Sequence, residues 1–217
     1  MISTGTQHSN AWIGQETLVL EKIHSRTKNI AICQRSVAAL EQNLATTIEK
    51  PIEFRSSGIV EEISILLKEY FQAQSHLDEA LMEDVLHLLG LFEQLTQVST
   101  FRLSLVKLSS TMCPRFHADN NQLRMLCTYY GPGTLWLPDQ AANRKAYRRG
   151  KSNENILRDE RLVEQVETGD IVVLKGSAYP FSRPILHRSP SIGENGEKRI
   201  LLSIDANESM NFPLSLP

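Results

Sequence analysis

The sequence predicts an α+β protein: a C-terminal jelly roll over residues 99–217, with a mainly helical N-terminal part, residues 1–98, packed against it. Two changes along the chain carry this prediction. Apolar residues recur at helical spacing through most of the first half, and near Ser99 the period drops to two. Short strand-like runs separated by Gly, Pro, Asn and Asp then follow, the pattern of a double-sheet barrel of the cupin-like kind. No Pro-, Ser- or Gly-rich linker divides the halves, so they are expected to form one packing unit.

Within the first half, Asn29-Ile-Ala-Ile-Cys33 reads as one short strand able to pair at the edge of a later sheet. Ser36 can cap the helix that follows, where Leu40, Leu44 and Ile48 recur every four residues until Pro51 stops it. Two further amphipathic helices are expected at about 59–74 and 77–98. Their stripes are Ile63, Leu66, Leu67, Tyr70 and Phe71, then Leu81, Val85, Leu88, Leu89 and Phe92. In the second half, strands are predicted at 101–108, 123–130, 134–137, 171–174, 185–187 and 200–204. Thr168-Gly169-Asp170 forms a tight turn before one of them, with Asp170 in a structural role. The polar stretch 143–161 interrupts the strands and reads as a loop with a short helix.

A chain of 217 residues can bury roughly 70% of its unfolded surface, enough for a core and a pocket. Its net charge of -2 gives no global reason to expect nucleic acid or an anionic membrane as partner. The cysteines Cys33, Cys113 and Cys127 are odd in number and form no CxxC pair, which argues against a disulfide framework and a four-thiolate zinc site and fits a reducing cytoplasm. Neither a signal peptide nor an apolar run of membrane-spanning length is found, so a soluble cytoplasmic protein is expected.

The residues most able to carry chemistry are His117, Asp119 and His187. In His117-Ala118-Asp119, alternate residues of an extended segment point to one side, so an imidazole and a carboxylate can share one metal. His187, at the end of another predicted strand, is the only other histidine in the strand-rich half. Two imidazoles and one carboxylate can hold one face of Fe(II) and leave three positions open. Arg199 opens the last predicted strand, and its planar fork suits a bidentate grip on a carboxylate.

Taken in order, a His-x-Asp pair, a distal His and an Arg on the last strand resemble the double-stranded β-helix Fe(II)/2-oxoglutarate oxygenases. That resemblance implies that His117, Asp119 and His187 bind Fe(II) and that Arg199 grips the distal carboxylate of 2-oxoglutarate. The longer strings CPRFHADNNQLRMLCTYYGPGTLWLPD, GDIVVLKG, ILHRSP and KRILLSID resemble the bacterial domain-of-unknown-function family 1826, strongly over about residues 99 to 206. That family has no assigned reaction, and the resemblance adds an association with zinc-homeostasis metallochaperones. Many oxygenases of this class have a small polar residue two positions after the arginine, whereas Leu201 stands there and Ser203 two later. Tyr129 or Tyr130 could supply the missing hydroxyl, or both could simply fill the strand.

Several alternatives stay open. Cys113 could complete a closed zinc site, making zinc the competing metal, or be a small core residue. Arg124 and Arg188 could contact substrate or pair with Asp119 and other carboxylates. The basic residues from Arg144 to Lys151, around Tyr147, could grip an anion or lie in solvent. The leading reading, which the resemblance carries, is an Fe(II)/2-oxoglutarate-dependent oxygenase acting on a small molecule or a protein side chain. A noncatalytic metal-binding protein linked to zinc homeostasis and a metal-free interaction module are the competitors.

Overall fold

The computed structural model describes residues 10–193, 196–207 and 210. Ten strands and five α-helices follow one another as β1 (Ala11–Gly14), β2 (Ile30–Cys33), α1 (Ala38–Thr47), β3 (Glu53–Ile59), α2 (Val60–Ala73), α3 (Glu79–Thr96), β4 (Thr100–Leu108), β5 (Leu123–Tyr130), β6 (Leu135–Leu137), α4 (Arg144–Arg148), α5 (Asn153–Ile156), β7 (Glu164–Gln165), β8 (Ile171–Lys175), β9 (Leu186–Arg188) and β10 (Arg199–Ala206). The fold mixes helices with a large mixed sheet. Seven strands form it in the order β1-β2-β8-β5-β10-β4-β3, and β7-β6-β9 form a smaller sheet. No helix among the described residues is long and apolar enough to cross a membrane.

The helices form where the sequence places them, for local reasons. Ser36 Oγ accepts from the Ala38 amide at 3.3 Å ahead of α1, and Asp78 caps α3 by accepting from the Ala80 amide at 2.9 Å. Gln97, left-handed at φ 55°, ends α3. The α3 stripe of Leu81, Val85, Leu88, Leu89 and Phe92 is wholly buried. On α2 the buried stripe narrows to Ile63, Leu67 and Phe71, because Leu66 lies at its solvent edge, 46% exposed.

The described residues of the N-terminal part, 10–98, hold more strand than their sequence predicts: three strands in place of one, with β1 and β3 forming the two edges of the large sheet. The reason is physical. An edge strand needs only one apolar face, and in β3 only Phe54 is buried, so no apolar alternation marks it. The predicted strand at 29–33 is observed as β2, inside the sheet between β1 and β8.

Strand alternation divides the large sheet into two chemically different faces. Met125, Cys127 and Tyr129 of β5 and Ile200, Leu202 and Ile204 of β10 join the main core shared with the helices. On the other face, Leu126 of β5 and Val172 and Leu174 of β8 pack with Trp136 and Ile185 beneath the small sheet. Arg199, Leu201, Ser203 and Asp205 also point to this second face, where they line a cavity of about 260 Å³.

Candidate metal centre

Two segments bring the predicted triad together. His117 and His187 form an isolated antiparallel bridge, with His117 N donating to His187 O at 3.0 Å and the reverse bond at 2.9 Å. Their rings stand 4.5 Å apart between centroids. One donor atom from each of His117, Asp119 and His187 lies within 4.8 Å of the others, a spacing that could hold a metal ion. Across the cluster, His117 Nε2 is 3.8 Å from Asp119 Oδ1 and His187 Nε2 is 3.5 Å from Asp119 Oδ2.

The loop carrying His117 and Asp119 is held from several sides. Asn153 accepts from the Phe116 amide at 2.9 Å and donates to the Pro114 carbonyl at 2.9 Å, while the Tyr147 hydroxyl accepts from the Ala118 amide at 3.2 Å. Behind the loop, the Ser177 amide donates to Asp119 O at 2.7 Å. The approach requires Gly176, where a Cβ would meet Asn121 O at 2.1 Å. The stretch 143–161 is thus a prop for the triad. Of its basic residues, Arg144 pairs with Asp139 at 2.7 Å and donates to Pro184 O, while Lys145, Arg148, Arg149 and Lys151 are exposed.

The protonation states suit a metal ligand set. His117 Nδ1 lies 3.0 Å from the Arg115 carbonyl, which can only accept, so the ring's proton sits on Nδ1 and a neutral ring offers Nε2. Burial, then the charges of His117 and Arg124, hold the His187 pKa well below the usual imidazole range. Arg124 holds Asp119 Oδ1 at 2.7 Å and grips Asp205 with two bonds of 2.7 and 2.9 Å, so it is the partner of Asp119. Asn121 adds a further bond to Asp205. One buried polar atom of the triad, Asp119 Oδ2, has no hydrogen-bond partner among the described residues. A buried carboxylate oxygen left in this condition is costly, and a cation would satisfy it.

Arg199 lines the same cavity and is 1% exposed. Its Nη2 donates to Thr128 Oγ1 at 2.9 Å and Thr134 Oγ1 at 2.7 Å, and no carboxylate among the described residues pairs with it. Burial alone therefore dominates, pulling its pKa down to about 10.

The structure does not bring Tyr129 to the site, which corrects its assignment as a cosubstrate contact. Tyr129 has the opposite strand parity to Arg124, Leu126 and Thr128, and its hydroxyl donates to Asp84 Oδ2 at 2.6 Å beneath the helices. Tyr130 packs against that same core. The hydroxyls beside Arg199 belong instead to Thr128 and Thr134, which sequence reasoning missed; the parity of β5 was the signal that could have found Thr128. Arg188 lines the cavity as well, and its guanidinium lies over the Phe116 ring, 5.2 Å from the centroid. Cys113 is exposed and lines the cavity but stands outside the three-donor cluster. Asp170 is structural, accepting from the Glu167 amide at 2.9 Å.

No curated protein matches the chain. Among solved structures it is similar to a Pseudomonas putida prolyl-4-hydroxylase at 12% identity, covering 87% of this chain and 96% of that one, with a TM-score of 0.46. It is also similar to a full-length Neurospora crassa protein in complex with alpha-KG, at 9% identity, 88% and 77% coverage and a TM-score of 0.42. A third is Streptomyces hygroscopicus HygX with iron bound, at 9% identity, 82% coverage of each chain and a TM-score of 0.45. At these identities and scores the three assign neither reaction nor ligand to this chain. The family match is of a different order: the model described as "Protein of unknown function (DUF1826)" spans residues 14–205, and the chain belongs to that family.

Proposed function

We propose that this chain is a mononuclear Fe(II)/2-oxoglutarate-dependent oxygenase of the hydroxylase type, built on a cupin-like jelly roll. One observation carries the reading: three metal donors converge with an orphaned carboxylate oxygen among them, and two of them, His117 and His187, line the same cavity as a buried guanidinium that pairs with no carboxylate among the described residues. A metal site and an anion site side by side are the two demands of this chemistry.

His117, Asp119 and His187 would hold the iron. The bond from His117 Nδ1 to the Arg115 carbonyl fixes that ring's tautomer, and burial keeps His187 unprotonated and ready to ligate. Arg124 occupies Asp119 Oδ1 and so leaves Oδ2 as the free donor. Arg199, steadied by Thr128 and Thr134, would bind the distal carboxylate of 2-oxoglutarate. An Fe(II) ion held by these three residues would leave coordination positions open and would supply oxygen activation coupled to decarboxylation of the 2-oxo acid. Three protein ligands leave those positions free, and because Cys113 is outside the cluster the closed zinc site is the weaker reading. The three cysteines are free thiols, which fits a reducing cytoplasm as the working compartment.

The test is anaerobic addition of Fe(II) and 2-oxoglutarate to the purified chain. A visible charge-transfer band is expected, and His187→Ala should abolish it while weakening Fe(II) binding by about 100-fold or more, at least the loss seen when a ligand's supporting contact is removed. Tight zinc binding with no band and no succinate formation across a substrate screen would end the oxygenase reading.

A further inference from the structure

The cavity extends beyond the triad and Arg199 onto an uncovered part of the large sheet. Beneath the small sheet the second face is apolar, with Leu126, Val172 and Leu174 packed there. Towards β10, β4 and β3 the same face turns polar. Cross-strand register lines up Ser57, Arg102, Asp205 and Arg124 in one row, and Arg55, Ser104, Ser203 and Leu126 in the next. Adjacent strands are about 4.8 Å apart, so the two rows form a rigid platform running from the triad's partner Arg124 to the sheet edge. Arg55, Arg102, Ser104 and Ser203 all line the cavity.

The charges there do not balance. Arg124 already engages both carboxylates near it, Asp119 and Asp205. Among the described residues, Arg102 donates to the Asn207 side-chain carbonyl, at 3.2 Å, and pairs with no carboxylate. Arg55 donates to Ser104 Oγ at 3.0 Å and reaches Glu53 at 3.5 Å, in a contact whose side chains are 58% and 74% exposed and therefore contributes little. On this platform two guanidiniums and two serine hydroxyls thus face the cavity with no committed anion among the described residues, while Arg188 also lines the cavity, off the platform. If 2-oxoglutarate takes Arg199, the platform pair remains.

We propose that Arg55 and Arg102, with Ser104 and Ser203, form an anion subsite that selects a small substrate bearing a carboxylate or phosphate group. Naming that ligand as substrate rests on the oxygenase reading above; the anion subsite itself does not. Guanidinium forks suit either head group, and hydroxyls add donors to its remaining oxygens. The cavity, about 260 Å³, lies near the lower end for small-ligand sites. Its size fits a small molecule whose anionic end lies on the platform and whose other end approaches the triad.

The experiment titrates glycerol 3-phosphate, tricarballylate and neutral glycerol into the full chain with saturating 2-oxoglutarate, anaerobically with Fe(II) and again without metal. Heat of binding and perturbation of the charge-transfer band are read together. At least one anion is expected to bind saturably, more weakly at higher salt, and glycerol is not. The stronger of the two anions identifies the head group. Arg55→Gln with Arg102→Gln should weaken that binding tenfold or more, as loss of charge-assisted bonds predicts, and leave the affinity for 2-oxoglutarate unchanged. Both residues are exposed, so the variants should fold. Glycerol binding as well as the anions, or anion affinity indifferent to the double variant, overturns the subsite. If no band forms yet arginine-dependent anion binding persists, the subsite stands and the oxygenase reading falls; a band without anion binding has the reverse meaning.

Discussion

The two faces of the large sheet each hold an arginine, part-buried on one and buried on the other, and they treat it in opposite ways. Under the helices, Arg35 is gripped by Asp84 through two bonds of 2.6 and 2.7 Å, Tyr129 donates to the same carboxylate, and Arg35 also donates to Gly169 O. Its pKa rises, and that of Asp84 falls, because these bonds outweigh the burial of both groups. On the cavity face, Arg199 has two threonine hydroxyls and, among the described residues, no carboxylate, and its pKa falls. The first face is electrostatically complete and the second is not. Completeness is what a structural cluster needs, whereas a deficit of negative charge, maintained beside three converging metal donors, is what a binding site needs.

That contrast can be broken most forcefully at Asp84. Replacing it by alanine leaves Arg35 charged and part-buried, and the loss should be about 3 kcal/mol, at the low end for severed buried pairs because the side chains are 23% and 17% exposed. Urea denaturation measures it, and Fe(II) affinity should not move. Arg199→Met should do the opposite. Affinity for 2-oxoglutarate falls about 10- to 100-fold, as for lost bonds to a charged group, while the midpoint of urea denaturation holds or rises because an unpaired buried cation has gone. Equal destabilisation by both variants would erase the distinction between the faces. Tyr129→Phe, smaller again, should lower stability by about 1.5 kcal/mol through the missing bond to Asp84 and leave 2-oxoglutarate binding intact. A drop in cosubstrate affinity there would return Tyr129 to the site.

The error over Tyr129 shows what in this molecule is readable from its letters. His117, Asp119 and His187 were legible because each sits beside a turn at the end of an apolar run, and because His-x-Asp spacing by itself aligns two donors. Arg199 was legible as the residue opening a strongly apolar strand. Which face of β5 looks at them was not used, although the alternation Arg124, Leu126, Thr128 against Met125, Cys127, Tyr129 contains it. The platform was hidden for another reason. β3 is an edge strand with polar residues on its open side, and its register against β4, which sets Arg55 beside Ser104, depends on backbone pairing that composition does not encode. The role of Asn153 and Tyr147 in holding the triad's loop is likewise a long-range contact, invisible in a stretch that reads from its composition as a polar loop with a short helix and a basic cluster.

The smallest expected effect compares one histidine from each face. His24, on the helical side, and His187, in the cavity, both have pKa values lowered by burial. In the unfolded chain each takes a proton near pH 6.5, whereas the folded state resists it. The unfolded state therefore binds more protons below pH 6.5, and metal-free protein should lose stability as the pH falls through that value, at no more than about 1.4 kcal/mol per pH unit for each group. The two shares should differ. Each histidine has a backbone hydrogen bond that favours its charged form, to Leu95 for His24 and Ile185 for His187, but His24 is part-buried with Lys175 opposed by Glu21 nearby, while His187 is buried and faces His117, Arg124 and Arg199, which all oppose protonation. Denaturation midpoints of metal-free protein between pH 7.5 and 5.5 should thus flatten more in His187→Gln than in His24→Gln. If both variants flatten the profile equally, the cavity face is no more hostile to positive charge than the helical face, and the charge deficit assigned to it is wrong.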